Sequence, residues 1–194
     1  MAQEATPPEL PPYSLDVEAM DLGGATKAVG LELVETESRE PLGGPKAALI
    51  WAAAIRAIVG KEPFVVDFFS HLDRVRAFCQ ARSIAFREAA PRCLVISQPP
   101  RELLGQLFTR FEGETFGVRS GRAAEQEDAA VEGELSRCGL DAYQAAYLRY
   151  TFCAICEPGD GWLTLLSETL WPSEIIRRVR PPLEEFDVYV ARPQ

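Results

Sequence analysis

Two short segments near the start of the chain alternate between apolar and polar residues, and this pattern restricts the fold most. Residues 13–19 and 29–34 both alternate, and the glycine-containing turn candidate 21–24 lies between them. A period of two is typical of a half-buried strand. Two such segments flanking a turn predict a β-hairpin. A helix is the weaker alternative, because it would have to contain three glycines.

Helical patterns dominate the remainder of the chain. Helices are predicted at residues 45–59, 63–79, 99–108, 121–138, 142–156, 162–171 and 172–180, and further strands at residues 92–97, 115–119 and 186–191. If the strands at 92–97 and 115–119 are parallel, the helix between them is a crossover connection. The sequence therefore predicts an α+β fold, a helix-rich single domain with a small mixed sheet of about five short strands.

Length and proline content predict the domain organisation. The chain has 194 residues, which suits one domain. Residues 1–12 contain four prolines among polar residues. Proline fixes φ and supplies no amide donor, so this stretch is predicted to be a flexible Pro-rich tail. Residues 13–194 are predicted to form a single globular domain.

Composition argues against several classes of partner. The net charge is −9, with 29 acidic and 20 basic residues, which opposes nucleic-acid binding. No apolar run approaches the roughly 18 residues of a membrane span, and no secretory signal pattern is present. Five cysteines, an odd number, suit reduced thiols in the cytoplasm. We expect an acidic cytoplasmic protein without nucleic-acid or membrane partners, and no motif indicates a cofactor.

Cys153 and Cys156 are the only closely spaced cysteines in the chain. On the predicted helix 142–156 they would share one face near its C-terminal end. The helix dipole disfavours a thiolate there, which weighs against redox chemistry. A structural zinc site would need further ligands that no spacing supplies. Packing in the core is the favoured interpretation, with redox and metal roles as alternatives.

His71 is the only histidine, so any histidine chemistry must use it. On the predicted helix 63–79, Asp67 would lie one turn before His71 and could orient its ring. A boundary histidine with a helical ion-pair partner is favoured over a catalytic pair.

Candidate ligand-binding residues come from two stretches. Tyr143 and Tyr147 begin a tyrosine stripe on the predicted helix 142–156, and Arg149 lies on the same apolar helix. A buried guanidinium needs a carboxylate or an anionic ligand. Arg119 and Arg122 flank a Ser-Gly turn between a predicted strand and a predicted helix, where an anion could bind.

These residues leave three functional hypotheses. The first is a non-catalytic binding or assembly protein of the cytoplasm with an unknown partner, using the tail and the segment 162–179. The alternative is a domain, binding or enzymatic, that holds a small anionic ligand in a pocket lined by tyrosine and arginine. The third is a thiol or metal protein that uses Cys153 and Cys156.

Overall fold

The structure is a computed structural model that describes residues 11–22, 27–89, 93–125, 144 and 147–190. These ranges contain a nine-stranded mixed sheet and four α-helices. The strands are β1 (Tyr13–Asp21), β2 (Lys27–Glu35), β3 (Phe64–Phe68), β4 (Arg87–Ala89), β5 (Cys93–Ser97), β6 (Phe116–Ser120), β7 (Phe152–Glu157), β8 (Trp162–Leu166) and β9 (Val188–Val190). The helices are α1 (Gly44–Val59), α2 (Leu72–Ala81), α3 (Leu104–Arg110) and α4 (Pro172–Glu184).

The strands lie in the order β4-β5-β3-β6-β7-β8-β2-β1-β9. Every pair of neighbours is antiparallel except β1 and β9, which are parallel. Because β3 is antiparallel to both β5 and β6, those two strands run in the same direction. The condition for a crossover connection between them is therefore met, and β3 is inserted between the two strands.

The predicted hairpin and the first predicted helix are confirmed. Strands β1 and β2 pair over their full lengths, from Tyr13 opposite Glu35 to Asp21 opposite Lys27. Helix α1 ends at Val59, and Gly60 follows with a φ of 60°, a backbone conformation that glycine adopts without strain.

The sheet has an inner face, covered by the four helices, and an outer face. The inner core includes the apolar side chains of α1, around the fully buried Trp51, and inward residues such as Leu31 and Phe68. A smaller outer-face cluster contains Val65, Val95, Tyr147, Tyr150 and Cys153. Along each strand, successive side chains point to opposite faces, so the two clusters alternate.

The prediction of a helix-rich domain with about five strands was wrong. Three segments assigned to helices are strands in the structure: β3, β7 and β8. These strands are interior to the sheet and are buried on most or all positions. The sequence of an interior strand is a continuous apolar run. Periodicity does not distinguish such a run from a buried helix.

The predicted ends of several helices differ from those in the structure. The helix predicted from residue 63 begins at Leu72, and the helix predicted to stop before Pro181 continues through Pro181 and Pro182 to Glu184. A short 3₁₀ turn occupies Arg122–Glu125, at the start of the predicted helix 121–138. The remainder of that helix and residues 1–10 of the predicted tail lie outside the described residues.

Among the described residues, no helix combines the length and the apolar character that crossing a membrane requires. The assignment of residues 13–194 to one domain stays a prediction.

Candidate functional site

A buried ion pair joins β3 and β6 on the outer face of the sheet. The Nε and one terminal nitrogen of Arg119 donate to the two carboxylate oxygens of Asp67, at 2.8 and 2.9 Å. The other terminal nitrogen donates to the Tyr150 hydroxyl at 2.7 Å. Arg119 is 1% exposed and Asp67 is fully buried. This bidentate pair compensates the buried guanidinium within the protein, without a ligand.

Burial also raises the pKa values of two groups beside Arg119. It raises the pKa of Tyr150, although the guanidinium of Arg119 partly offsets that increase. Cys153 faces Arg119 across the β6–β7 ladder, and burial raises the pKa of its thiol well above the usual range. Both groups are therefore neutral at physiological pH, so they serve packing and hydrogen bonding.

The structure places the four described candidates for ligand binding in different surroundings. Tyr147 is buried in the outer-face cluster, whereas Arg149 and Arg122 are exposed on two separate 3₁₀ turns. Arg119 is held by Asp67. The fifth residue, Tyr143, lies outside the described residues. The tyrosine stripe depended on a helix through residue 156, but from Tyr147 onward the segment is a 3₁₀ turn followed by β7.

Cys153 and Cys156 do not share a face, contrary to the helical prediction. Both belong to β7, and a spacing of three residues places them on opposite sides of the sheet. Cys153 belongs to the outer-face cluster and Cys156 to the inner core. Burial raises the pKa of Cys156 as well. In this arrangement the two sulfurs cannot bridge each other or bind one ion.

An arginine-lined groove that the sequence analysis missed lies between α2 and the end of α3. It has a volume of about 420 Å³ and is lined by Arg74, Ala77, Phe78, Arg82, Arg110 and Phe111. Its apolar part is fixed, because the rings of Phe78 and Phe111 are almost fully buried and pack edge to face, with centroids 5.6 Å apart. We call this feature the α2–α3 groove.

Aromatic rings position two of the three guanidinium groups. The guanidinium of Arg82 lies over the Phe78 ring at 3.9 Å, and that of Arg74 lies 5.8 Å from the centroid of Phe111. Among the described residues, no carboxylate lies within ion-pair distance of Arg82 or Arg110. The nearest carboxylate to Arg74 is that of Glu114, at 4.0 Å. The groove therefore carries positive charge that acidic side chains compensate only in part.

His71 and Glu114 form an ion pair next to Arg74. The Nδ1 atom of His71 contacts one carboxylate oxygen of Glu114, and the Ser70 hydroxyl donates to the other. Burial alone would raise the pKa of Glu114, but the hydrogen bonds from Ser70 and His71 outweigh it and hold that pKa below its usual value. The predicted partner of His71 was wrong: Asp67 is in β3 and binds Arg119.

A larger depression of about 800 Å³ lies elsewhere and has the opposite electrostatic character. Within the described ranges, its lining includes three acidic side chains, Glu35, Glu37 and Asp187, and no basic one. It suits an anion poorly, so the smaller α2–α3 groove is the better candidate site for an anionic ligand.

Comparisons of the chain with protein-family models, with curated proteins and with solved structures find no match.

Proposed function

We propose that this protein binds a small anionic molecule in the α2–α3 groove. The observation that carries the proposal is the convergence of Arg74, Arg82 and Arg110 around a rigid phenylalanine floor. A guanidinium presents several N–H donors in a planar fork that matches phosphate or carboxylate. Stacking on Phe78 also reduces the conformational freedom that Arg82 would lose on binding.

The charge of the whole chain favours a small ligand over a polyanion. With a net charge of −9, the protein repels a long nucleic acid at a distance. A molecule that fits a groove of about 420 Å³ meets mainly the local positive charge.

Calorimetric titration at low salt tests this proposal, with inorganic phosphate, pyrophosphate and phenyl phosphate as probes. We expect Arg82→Gln and Arg110→Gln each to weaken binding by about tenfold, the equivalent of about 1.4 kcal/mol. Arg177→Gln is the matched control, because it removes the same charge from an exposed side chain of α4 that pairs with Glu174. It should leave the affinity unchanged.

Two results would contradict the proposal. One is the absence of binding for all three probes in the wild-type protein. The other is an equal loss of affinity in Arg82→Gln and Arg177→Gln, which would show that net charge, and not the groove, attracts the anion.

Protein assembly is a second candidate, supported by Trp171, which is 53% exposed. Exposed tryptophan side chains are enriched at protein interfaces. Trp162, the other aromatic residue of the segment 162–179, instead packs down on the sheet at Gly30, where an added Cβ would lie 3.0 Å from its ring. If assembly depends on Trp171, light scattering should show a concentration-dependent mass that Trp171→Glu abolishes. A monomer at all concentrations would refute self-association through this residue.

A further inference from the structure

His71 lies beside Arg74, one of the residues that line the α2–α3 groove. It directly precedes α2, and Arg74 and Phe78 follow three and seven residues later, which places all three on one side of the helix. One oxygen of Glu114 contacts His71 Nδ1 and lies 4.0 Å from a terminal nitrogen of Arg74. The imidazole and an anion-binding guanidinium thus share a single carboxylate.

This carboxylate determines which ring nitrogen of the neutral imidazole is available. The lowered pKa of Glu114 keeps it ionised near neutral pH, and an ionised carboxylate only accepts hydrogen bonds. In the neutral ring, Nδ1 therefore carries the proton and Nε2 carries the lone pair. Among the described residues no hydrogen bond to Nε2 is present, and the His71 side chain is 57% exposed.

We propose that His71 Nε2 accepts the phosphoryl group of an aryl phosphate monoester bound in the α2–α3 groove. The proposal rests on the proposed function, because the anionic ligand becomes the substrate. Arg74 would hold the phosphoryl oxygens beside the imidazole, and an aryl ester suits this site because its phenolate leaves without a proton donor.

The reaction has two steps. The Nε2 lone pair attacks phosphorus, the bond from phosphorus to the aryl oxygen breaks, and the phenolate leaves with the electron pair. Water then attacks the phosphorus atom and loses a proton. The phosphorus–nitrogen bond breaks, and its electron pair returns to Nε2. The sum is hydrolysis of the ester to a phenol and inorganic phosphate, without an oxidant, a reductant or a second substrate.

The test uses p-nitrophenyl phosphate with the full-length chain. Release of nitrophenolate is followed by absorbance, and samples quenched in alkali are weighed by mass spectrometry, because a phosphoramidate bond survives base better than acid. We expect wild-type protein to release nitrophenolate and to gain the mass of one phosphoryl group. His71→Asn should lower the rate by on the order of a hundredfold or more and abolish the gain in mass.

Asparagine is the appropriate replacement because His71 has a φ of 48° and a ψ of 37°, in the left-handed region. Asparagine adopts this conformation more readily than most residues, so the start of α2 should be preserved. A circular dichroism spectrum and the calorimetric affinity for pyrophosphate check that the fold and the groove are intact. Arg177→Gln should turn over at the wild-type rate.

Glu114 is a positioning residue in this scheme. Glu114→Gln should lower kcat about tenfold or more and change KM by less than about twofold, since its carboxylate orients the imidazole while the arginines bind the ester. A variant that merely loosened the fold would lower the fraction of active protein, with a matching loss of pyrophosphate binding.

The possible results separate the two proposals. Binding of p-nitrophenyl phosphate without nitrophenolate release would overturn the role of His71 and leave anion binding supported. Release that persists in His71→Asn would overturn it as well. The absence of any binding would overturn both proposals.

Discussion

At the scale of single residues, Asp67 and Arg119 give the outer face of the sheet a buried pair of opposite charges. Arg119→Met should lower the free energy of unfolding by about 3 to 5 kcal/mol, because it leaves a buried carboxylate without its main partner. The double variant Asp67→Leu/Arg119→Met should lose less, since no lone charge remains. Urea unfolding monitored by circular dichroism measures both values. A double variant less stable than Arg119→Met would contradict this account.

The hydroxyl of Tyr150 adds one hydrogen bond to that pair. Tyr150→Phe keeps the ring and removes the acceptor for Arg119, so we expect a loss of about 1.5 to 3 kcal/mol, typical of a hydrogen bond to a charged group. Tyr189→Phe is a suitable control, because Tyr189 is 52% exposed at the edge of the sheet. A change of equal size in the control would argue against a specific role for Tyr150.

The lowered pKa of Glu114 predicts the direction of a pH effect. Its folded-state pKa lies below its unfolded value of about 4.3, so the associated stability is present above that value and is lost as the pH falls through the folded-state pKa. Between pH 5 and 3 the free energy of unfolding should therefore decline more steeply in wild-type protein than in Glu114→Gln. Urea titrations across this pH range measure the difference, and parallel curves would refute it.

Cysteine reactivity follows from burial. Within the described part of the chain, Cys79, Cys93, Cys153 and Cys156 are buried free thiols. They should resist iodoacetamide at pH 8 in native protein and react fully in denaturant, because burial restricts access to all four thiols and raises the pKa of Cys79, Cys153 and Cys156. Peptide mapping by mass spectrometry checks each residue. Rapid native labelling of Cys153 or Cys156 would contradict the packing interpretation.

At the scale of secondary-structure elements, three loops meet through glycine backbones. The N-cap of α1, Gly43, has a φ of −108°, so its backbone is unstrained. An added Cβ would nevertheless collide with the carbonyl oxygen of Gly159, between β7 and β8. Gly159 in turn lies against the backbone at Glu112, after α3. Glycine is needed at position 43 for close approach of two chain segments.

Gly43→Ala should therefore destabilise the protein by about 1 to 3 kcal/mol, the usual cost of overpacking a site. Gly113→Ala is the matched control, since a Cβ there meets no atom within 4 Å. The control should change stability by no more than about 0.5 kcal/mol. Thermal unfolding of the two variants provides the comparison, and equal midpoints would contradict the contact.

Whether the sequence could predict an element depended on the environment of that element. The hairpin of β1 and β2 was predictable because alternate side chains point into the core and away from it. Strands β3, β7 and β8 were not, because both faces of these strands are largely buried. Because Phe64–Phe68 was assigned to a helix, the start of α2 at Leu72 was not predicted. Arg82 also lay beyond residue 79, where the predicted helix ended, so the sequence did not align it with His71 and Arg74.

The candidate site was still less predictable than the fold. The three arginines of the α2–α3 groove come from α2, the residue that follows it, and α3, and the sequence gives no spacing that joins Arg110 to the other two. Glu114 meets His71 only because β3 and β6 are neighbours, with Phe68 opposite Phe116. Tertiary pairing, which one sequence does not reveal, builds this site.

At the scale of the whole molecule, one sheet and the core beneath it join the described strands and α-helices. The inner core runs without interruption from the β4 end to the β9 end and contains side chains of all four helices. Residues 13–194 should therefore unfold in a single cooperative transition. Near-ultraviolet and far-ultraviolet circular dichroism should give the same midpoint in urea. Two separated midpoints would show that the sheet divides into independent units.

The strands are synthesised in an order that differs from their order in the sheet. Strand β3 emerges from the ribosome before β5 and β6, the two strands that flank it. Strand β2 is likewise synthesised long before β8, with which it pairs. During translation both strands therefore offer apolar residues and unpaired backbone groups to other chains. We expect nascent chains that stop before Trp162 to be held by chaperones, and release to follow the entry of β8 between β7 and β2.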